Sequence, residues 1–268
     1  MKCKEFYKVA GALLVLFSQP VWAETISFGI VPQQSASRLA TLWTPLLQAL
    51  SEQTGLKVEF KTAPNIPEFE RRLAQGEYDV AYMNPYHYQV AAHSPGYKAI
   101  AKARDLFLHG IIVVRRDSGI ESLAELEGQV LAFPAPKAFA ASVVTRAELD
   151  RLAVNFSAKY VGSHDSVYRS VESGLYPAGG GVPQTFANVD EALRSELKVL
   201  WESKGYSPHA VAVSPNLDPQ LATLIQESLV NMTSTEQRQL LNAIRIGEFV
   251  AAQDSDWDDI RALGLANY

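Results

Sequence analysis

The sequence has almost no cysteine. The single one among 268 residues, Cys3, precedes a short apolar run at the N-terminus. A chain that sheds this segment keeps no disulfide and no thiolate, which excludes cysteine catalysis and cysteine-ligated metals. Long hydrophobic runs are missing as well; no stretch approaches the roughly 20 apolar residues of a membrane span. Positive charge is in deficit, with 24 Lys+Arg against 29 Asp+Glu and a formal charge of −5. No basic run or aromatic-basic stripe occurs, which argues against nucleic acid and anionic membranes as partners. Phosphate-loop, dinucleotide and HExxH motifs are lacking, and the histidines at 87, 93, 109, 164 and 209 include no i,i+4 pair. Neither a cofactor nor a dedicated metal site is expected.

What is there begins with a targeting segment. Lys2, Lys4 and Lys8 form a basic region, residues 10–17 an apolar core, and Val21-Trp22-Ala23 a cleavage pattern. This is a secretory signal peptide over residues 1–23, with cleavage between Ala23 and Glu24. Its removal takes away three lysines and one glutamate. Lys+Arg falls from 24 to 21, Asp+Glu from 29 to 28, and the formal charge becomes −7. Export without disulfides suits a bacterial periplasm.

The remainder alternates strand and helix. "TISFGIVP" from Thr25 reads as a strand, followed by a helix in which Leu39, Leu42, Trp43, Leu46, Leu47 and Leu50 recur at helical spacing. "GLKVEFKTA", "YDVAYM", "YKAIAKA" and "HGIIVVRR" read as further strands. A second unit follows: "GQVLAF" and "AKYV" as strands, a helix from about Lys137, another after Ser163, and a turn at Gly179-Gly180-Gly181. "LKVLWES" and "HAVAVSP" are strands, and the tail from Pro219 is mostly helical. The pattern predicts an α/β fold with mainly parallel sheets and flanking helices. Two such units predict two lobes, 24–107 with 213–268 and 108–212. They would be hinged by crossover strands near 106–114 and 200–213.

Four turns share one form, in which a strand ends and polar or small residues open a helix: Pro32-Gln33-Gln34-Ser35, Asn84-Pro85-Tyr86, Ala135-Pro136-Lys137 and Ser163-His164-Asp165. In open α/β sheets ligands bind beyond the carboxyl ends of the strands. A helix N-terminus there offers free N–H groups and the positive end of the helix dipole, which together suit an anion. The candidate ligand-binding residues are Gln34, Ser35, Tyr82, Asn84, Tyr88, Lys137, Ser163, His164 and His209. Each has a plainer reading: Ser35, Asn84 and His164 as helix caps, Tyr82 and Tyr88 as core or rim aromatics, Lys137 as a solvated charge. An imidazolium at 164 would suit an anion. The glycine triplet is either a flexible turn or a place where backbone approaches a ligand. Ser163-His164-Asp165 holds triad residue types, but sequence neighbours do not build a triad and no nucleophile elbow is present.

Five segments in order carry a family resemblance: "FGIVPQQSASRLATLWTPLLQALSEQTG", "RRLAQGEYDVAYMNPYHYQVA", "GIIVVRRDSGIESLAELEGQVLAF", "VGSHDSVYRSVESG" and "SPHAVAVSPNL". The chain resembles the phosphate/phosphite/phosphonate-binding periplasmic proteins of ABC uptake systems. The resemblance implies the two-lobed periplasmic binding protein fold (type II-like), closing on a small oxyanion without catalysis. By position it makes Tyr88 a cleft tyrosine and His164 a holder of phosphoryl oxygens. Two departures stand out. "PAPKAFAAS" puts Ala138, Phe139 and Ala140 where relatives carry serine or threonine. Tyr176-Pro177-Ala178 lacks an acidic residue that can meet a ligand's amino group. The reading is a monomeric solute-binding protein serving a membrane permease; the alternative is an anion-sensing subunit that reports to a membrane sensor kinase.

Overall fold

The computed structural model describes residues 24–263. The expected signal peptide lies outside the described residues. Among them the strands are β1 (Thr25–Ile30), β2 (Lys57–Lys61), β3 (Val80–Met83), β4 (Lys98–Ala103), β5 (Ile111–Arg115), β6 (Val130–Phe133), β7 (Ser157–Tyr160), β8 (Ala178–Gly181), β9 (Leu197–Glu202), β10 (Ala210–Val213) and β11 (Phe249–Ala251). They form two sheets, ordered β11-β4-β10-β3-β1-β2 and β7-β6-β8-β5-β9.

Each sheet is mixed, where the strand–helix alternation predicts mainly parallel pairing. β1 pairs parallel with β2 and β3, and β6 with β7 and β8. β10 instead runs antiparallel to β3 and β4, and β5 antiparallel to β8 and β9. The cause is the crossing itself. A strand that arrives from the other sheet enters from the side where resident strands end, so it runs against them. The boundary expected at 213 also shifts, because pairing places all of β10 in the first sheet. The crossings are 104–110 and 203–209. They pair with each other through Leu108 and Tyr206, whose N–H and C=O groups exchange bonds of 2.8 and 2.9 Å.

Alternation in β1 sends Ile26, Phe28 and Ile30 into the core. There they meet Leu39, Trp43, Leu46, Leu47 and Leu50 on one stripe of the helix Ala36–Thr54. Ser35 caps this helix by accepting from Arg38 N, and Gly55 ends it at a left-handed φ of 71°. The tail returns to the first sheet through β11, with Ile225, Leu229 and Leu241 in the same core.

The glycine triplet is not a turn. It lies in β8, buried between β5 and β6. Glycine is a poor strand former, but a side chain has no room here. A methyl at Gly180 would land on the Ala141 carbonyl, and one at Gly110 on the Ala140 carbonyl. These two glycines let the helical segment Phe139–Val144 lie directly on the second sheet. That segment is wound as a π-helix and continues as an α-helix over Thr145–Arg151.

Candidate anion-binding cleft

The two sheets meet face to face at their helix-opening turns. His164 N–H donates to Gln33 O at 3.2 Å. Asn84 Nδ2 donates to Lys137 O at 3.2 Å and Arg245 Nε to Asn188 Oδ1 at 3.3 Å. Each pair joins an element of one sheet to one of the other, so this is a closed cleft.

Closure encloses a cavity lined by Gln33, Asn84, Ala138–Ala141, His164 and His209, with Val31, Ile66, Leu108 and Val182 as apolar wall. It is tight: about 10 Å³ is open to the centre of a water-sized sphere, roughly what one water requires. Ala138 N–H bonds back to Ala135 O at 3.2 Å, but Phe139, Ala140 and Ala141 open a helix, and the first N–H groups of a helix have no partner in earlier turns. The alanines that replace hydroxylated residues therefore still leave backbone donors at the wall.

Two imidazoles join Gln33 and Asn84 as the polar side chains of this cavity. His164 and His209 are both buried, and the Nε2 of each lacks any hydrogen-bond partner. Burial pushes both rings down to about 3. His164 is therefore neutral in the closed cleft, whereas the sequence reading favoured an imidazolium.

A neutral ring must place its one proton, and a chain of hydroxyls decides where. The Val182 N–H, which can only donate, reaches the Tyr168 hydroxyl at 3.2 Å. Tyr168 lies 2.8 Å from Thr185 Oγ1, and Thr185 Oγ1 lies 2.9 Å from His164 Nδ1. Run in that direction, each hydroxyl accepts once and donates once, and the last bond ends on Nδ1 as acceptor. The proton then sits on Nε2, facing the cavity. The Val182 carbonyl, 3.2 Å from both hydroxyls, is the longer alternative for each. This geometry assigns His164 as a neutral N–H donor to an acceptor in the cavity.

His209 is held from behind. Its ring stacks on Tyr82 with centroids 4.8 Å apart and planes at 14°, and Tyr82 packs on Trp43 at 4.7 Å. Trp257 Nε1 donates to Pro208 O at 2.8 Å, which fixes the chain next to the ring.

The nine sequence candidates separate cleanly. Asn84, His164 and His209 line the cavity, and Gln34 and Tyr82 line an adjoining chamber together with His209. The other four lie elsewhere. The Tyr88 hydroxyl donates to Asp254 at 2.8 Å, packs on Trp257 and titrates at about 12, raised first by burial. It sits one helical turn below the N-terminus that Asn84 caps, facing the tail. Lys137 projects outward, with Nζ 3.9 Å from Glu70 and over the Tyr86 ring. Ser163 spends its oxygen on capping Ser166 N at 3.1 Å, and Ser35 does likewise on Arg38 N at 3.3 Å. Sequence reasoning missed Thr185 and Tyr168, which stand 21 and 4 residues from His164.

Two sheets, two paired crossings and a polar cavity between them define a two-lobed periplasmic binding protein fold. The family described as "ABC transporter, phosphonate, periplasmic substrate-binding protein" matches residues 28–257, and the chain belongs to it. It is similar to the phosphate-import protein PhnD of Mycolicibacterium smegmatis, 23% identical over 89% of this chain and 84% of the relative. The fold is similar to a binding protein component of an ABC phosphonate transporter from Pseudomonas aeruginosa. The TM-score is 0.81 at 18% identity, covering 90% of this chain and 86% of that one. PhnD1 from Prochlorococcus marinus, solved in complex with methylphosphonate, gives 0.83 at 18% identity, covering 90% and 97%. The family is one of substrate-binding transport proteins.

Proposed function

We propose that this protein is exported by its N-terminal signal and captures a small phosphorus oxyanion (phosphate, phosphite or a phosphonate) for an ABC permease. It does so as a monomer without catalysis. The observation that carries the reading is the pair of buried, unpartnered Nε2 atoms of His164 and His209 at one cavity. A buried polar atom without a partner costs about 1–3 kcal/mol, and an oxyanion in the cavity supplies the missing partner. The N–H groups of residues 139–141 at the helix start complete the donors. The lobes hinge at 104–110 and 203–209 and close over the ion. Isothermal titration of the mature chain with phosphate, phosphite, methylphosphonate and sulfate is the test. Saturable binding of at least one phosphorus oxyanion is expected; no binding of any at millimolar concentration overturns the reading.

A further inference from the structure

The cavity at His164 is not the whole of the cleft. A second chamber adjoins it and shares Gln33, Leu108, Val182 and His209 as a common wall. By the same measure it is larger, with about 70 Å³ open to the centre of a water-sized sphere. Its lining is of another character. Leu39, Leu42 and Trp43 give an apolar side, with Tyr82 stacked on His209 beside them. Gln184 lines it too, and its Oε1 is buried without a hydrogen-bond partner. Among the residues lining the two chambers, Arg245 is the one charged side chain, exposed at the rim and bonded to Asn188.

We propose that this chamber takes a short, uncharged, hydroxylated alkyl substituent carried by the oxyanion, so that the ligand is a hydroxyalkyl phosphorus oxyanion. The inference rests on the anion reading above. The first cavity is no larger than one water in the closed cleft, so a headgroup bound at His164 has to widen it, and the open space for atoms attached to that headgroup is the chamber past His209. The apolar side suits carbon. An ammonium group there would be desolvated with no carboxylate among the lining residues to balance it. A carboxylate there would be desolvated too, with the one lining cation, Arg245, held at the rim by Asn188. A hydroxyl donates to that oxygen and lets its alkyl stem lie against Leu42 and Trp43.

Calorimetric titration with inorganic phosphate, methylphosphonate, ethylphosphonate, 2-hydroxyethylphosphonate and 2-aminoethylphosphonate tests this. The hydroxyethyl compound should bind about 2- to 10-fold tighter than the ethyl compound, the worth of one added hydrogen bond, and the aminoethyl compound weakest of the three. Gln184→Leu should abolish the hydroxyl preference, and Leu42→Trp should exclude all three two-carbon ligands; methylphosphonate binding, kept by both variants, reports that they fold. If the small ions bind and the hydroxyethyl compound shows no advantage, or keeps it in Gln184→Leu, the chamber proposal is overturned while the anion reading stands. If no phosphorus oxyanion binds, both fall.

Discussion

Thr185 Oγ1 stands 2.9 Å from Nδ1 of His164, on the edge of the ring that faces away from the cavity. That contact fixes what the opposite edge presents. Thr185→Val keeps the volume and removes the hydroxyl, so Nδ1 loses its donor and the proton is free to move to it. The Nε2 edge then faces the anion as a lone pair in part of the population. Oxyanion affinity should fall in proportion to the fraction of rings that keep the Nε2 proton, about 2- to 10-fold for a tautomer mixture. The decisive readout is ¹⁵N NMR of the ring: an Nε2–H tautomer in the parent and a mixture in the variant. An unchanged tautomer would show that the hydroxyl chain does not orient His164.

Acid should open the cleft. His164 and His209 titrate at about 3 in the closed form, against ~6.5 for an imidazole in water. A depressed pKa means that the closed state binds fewer protons than the open or unfolded one. The stability of closure is thus complete above pH ~6.5 and is lost as pH falls toward 3, by up to about 1.4 kcal/mol per pH unit per ring. Small-angle scattering of the unliganded protein should show a larger radius of gyration at pH 5 than at pH 7.5. On the alkaline side a neutral His164 predicts no loss of affinity from pH 7 to 9, apart from the ligand's own ionisation. An unchanged radius down to pH 4.5 would contradict the burial argument.

Gly180→Ala should act on the site without touching it. The added methyl meets the Ala141 carbonyl and the Phe133 ring, so the segment that presents residues 138–141 to the cavity has to move. Overpacking of this kind costs about 1–3 kcal/mol of stability, and oxyanion affinity should fall with it. Thermal unfolding and titration of the same sample measure both. A variant with parental stability and affinity would mean that the π-helical segment is not held by its contact with β8.

Much of this was legible in the sequence, for definite reasons. Apolar spacing in the helix Ala36–Thr54 and alternation in β1 are local signals, and the structure follows both. The strand-end turns at Asn84 and His164 reach the cavity because a helix-opening residue lies where strands finish. Tyr88 does not, because a residue one turn into a helix is about 5.4 Å further along the axis and here faces Trp257. Thr185 carried no signal: its contact with His164 is made by folding the Pro183–Ala187 and His164–Glu172 helices together, and no spacing rule spans 21 residues. Tyr168 stands four residues from His164 on the same helix, a spacing that puts both on one face, and it reaches the ring through Thr185. The antiparallel crossings were hidden for a similar reason, since strand order along the chain does not say which sheet a strand joins.

The central claim is that His164 donates from Nε2 to a phosphorus oxyanion in the closed cleft, and calorimetric titration of His164→Ala tests it most directly. A hydrogen bond to a charged group is worth about 1.5–3 kcal/mol, so the variant should bind the ion that the parent binds best roughly 10- to 150-fold more weakly, with its circular dichroism and cooperative unfolding retained. Affinity equal to the parent's in a folded His164→Ala protein would contradict the account.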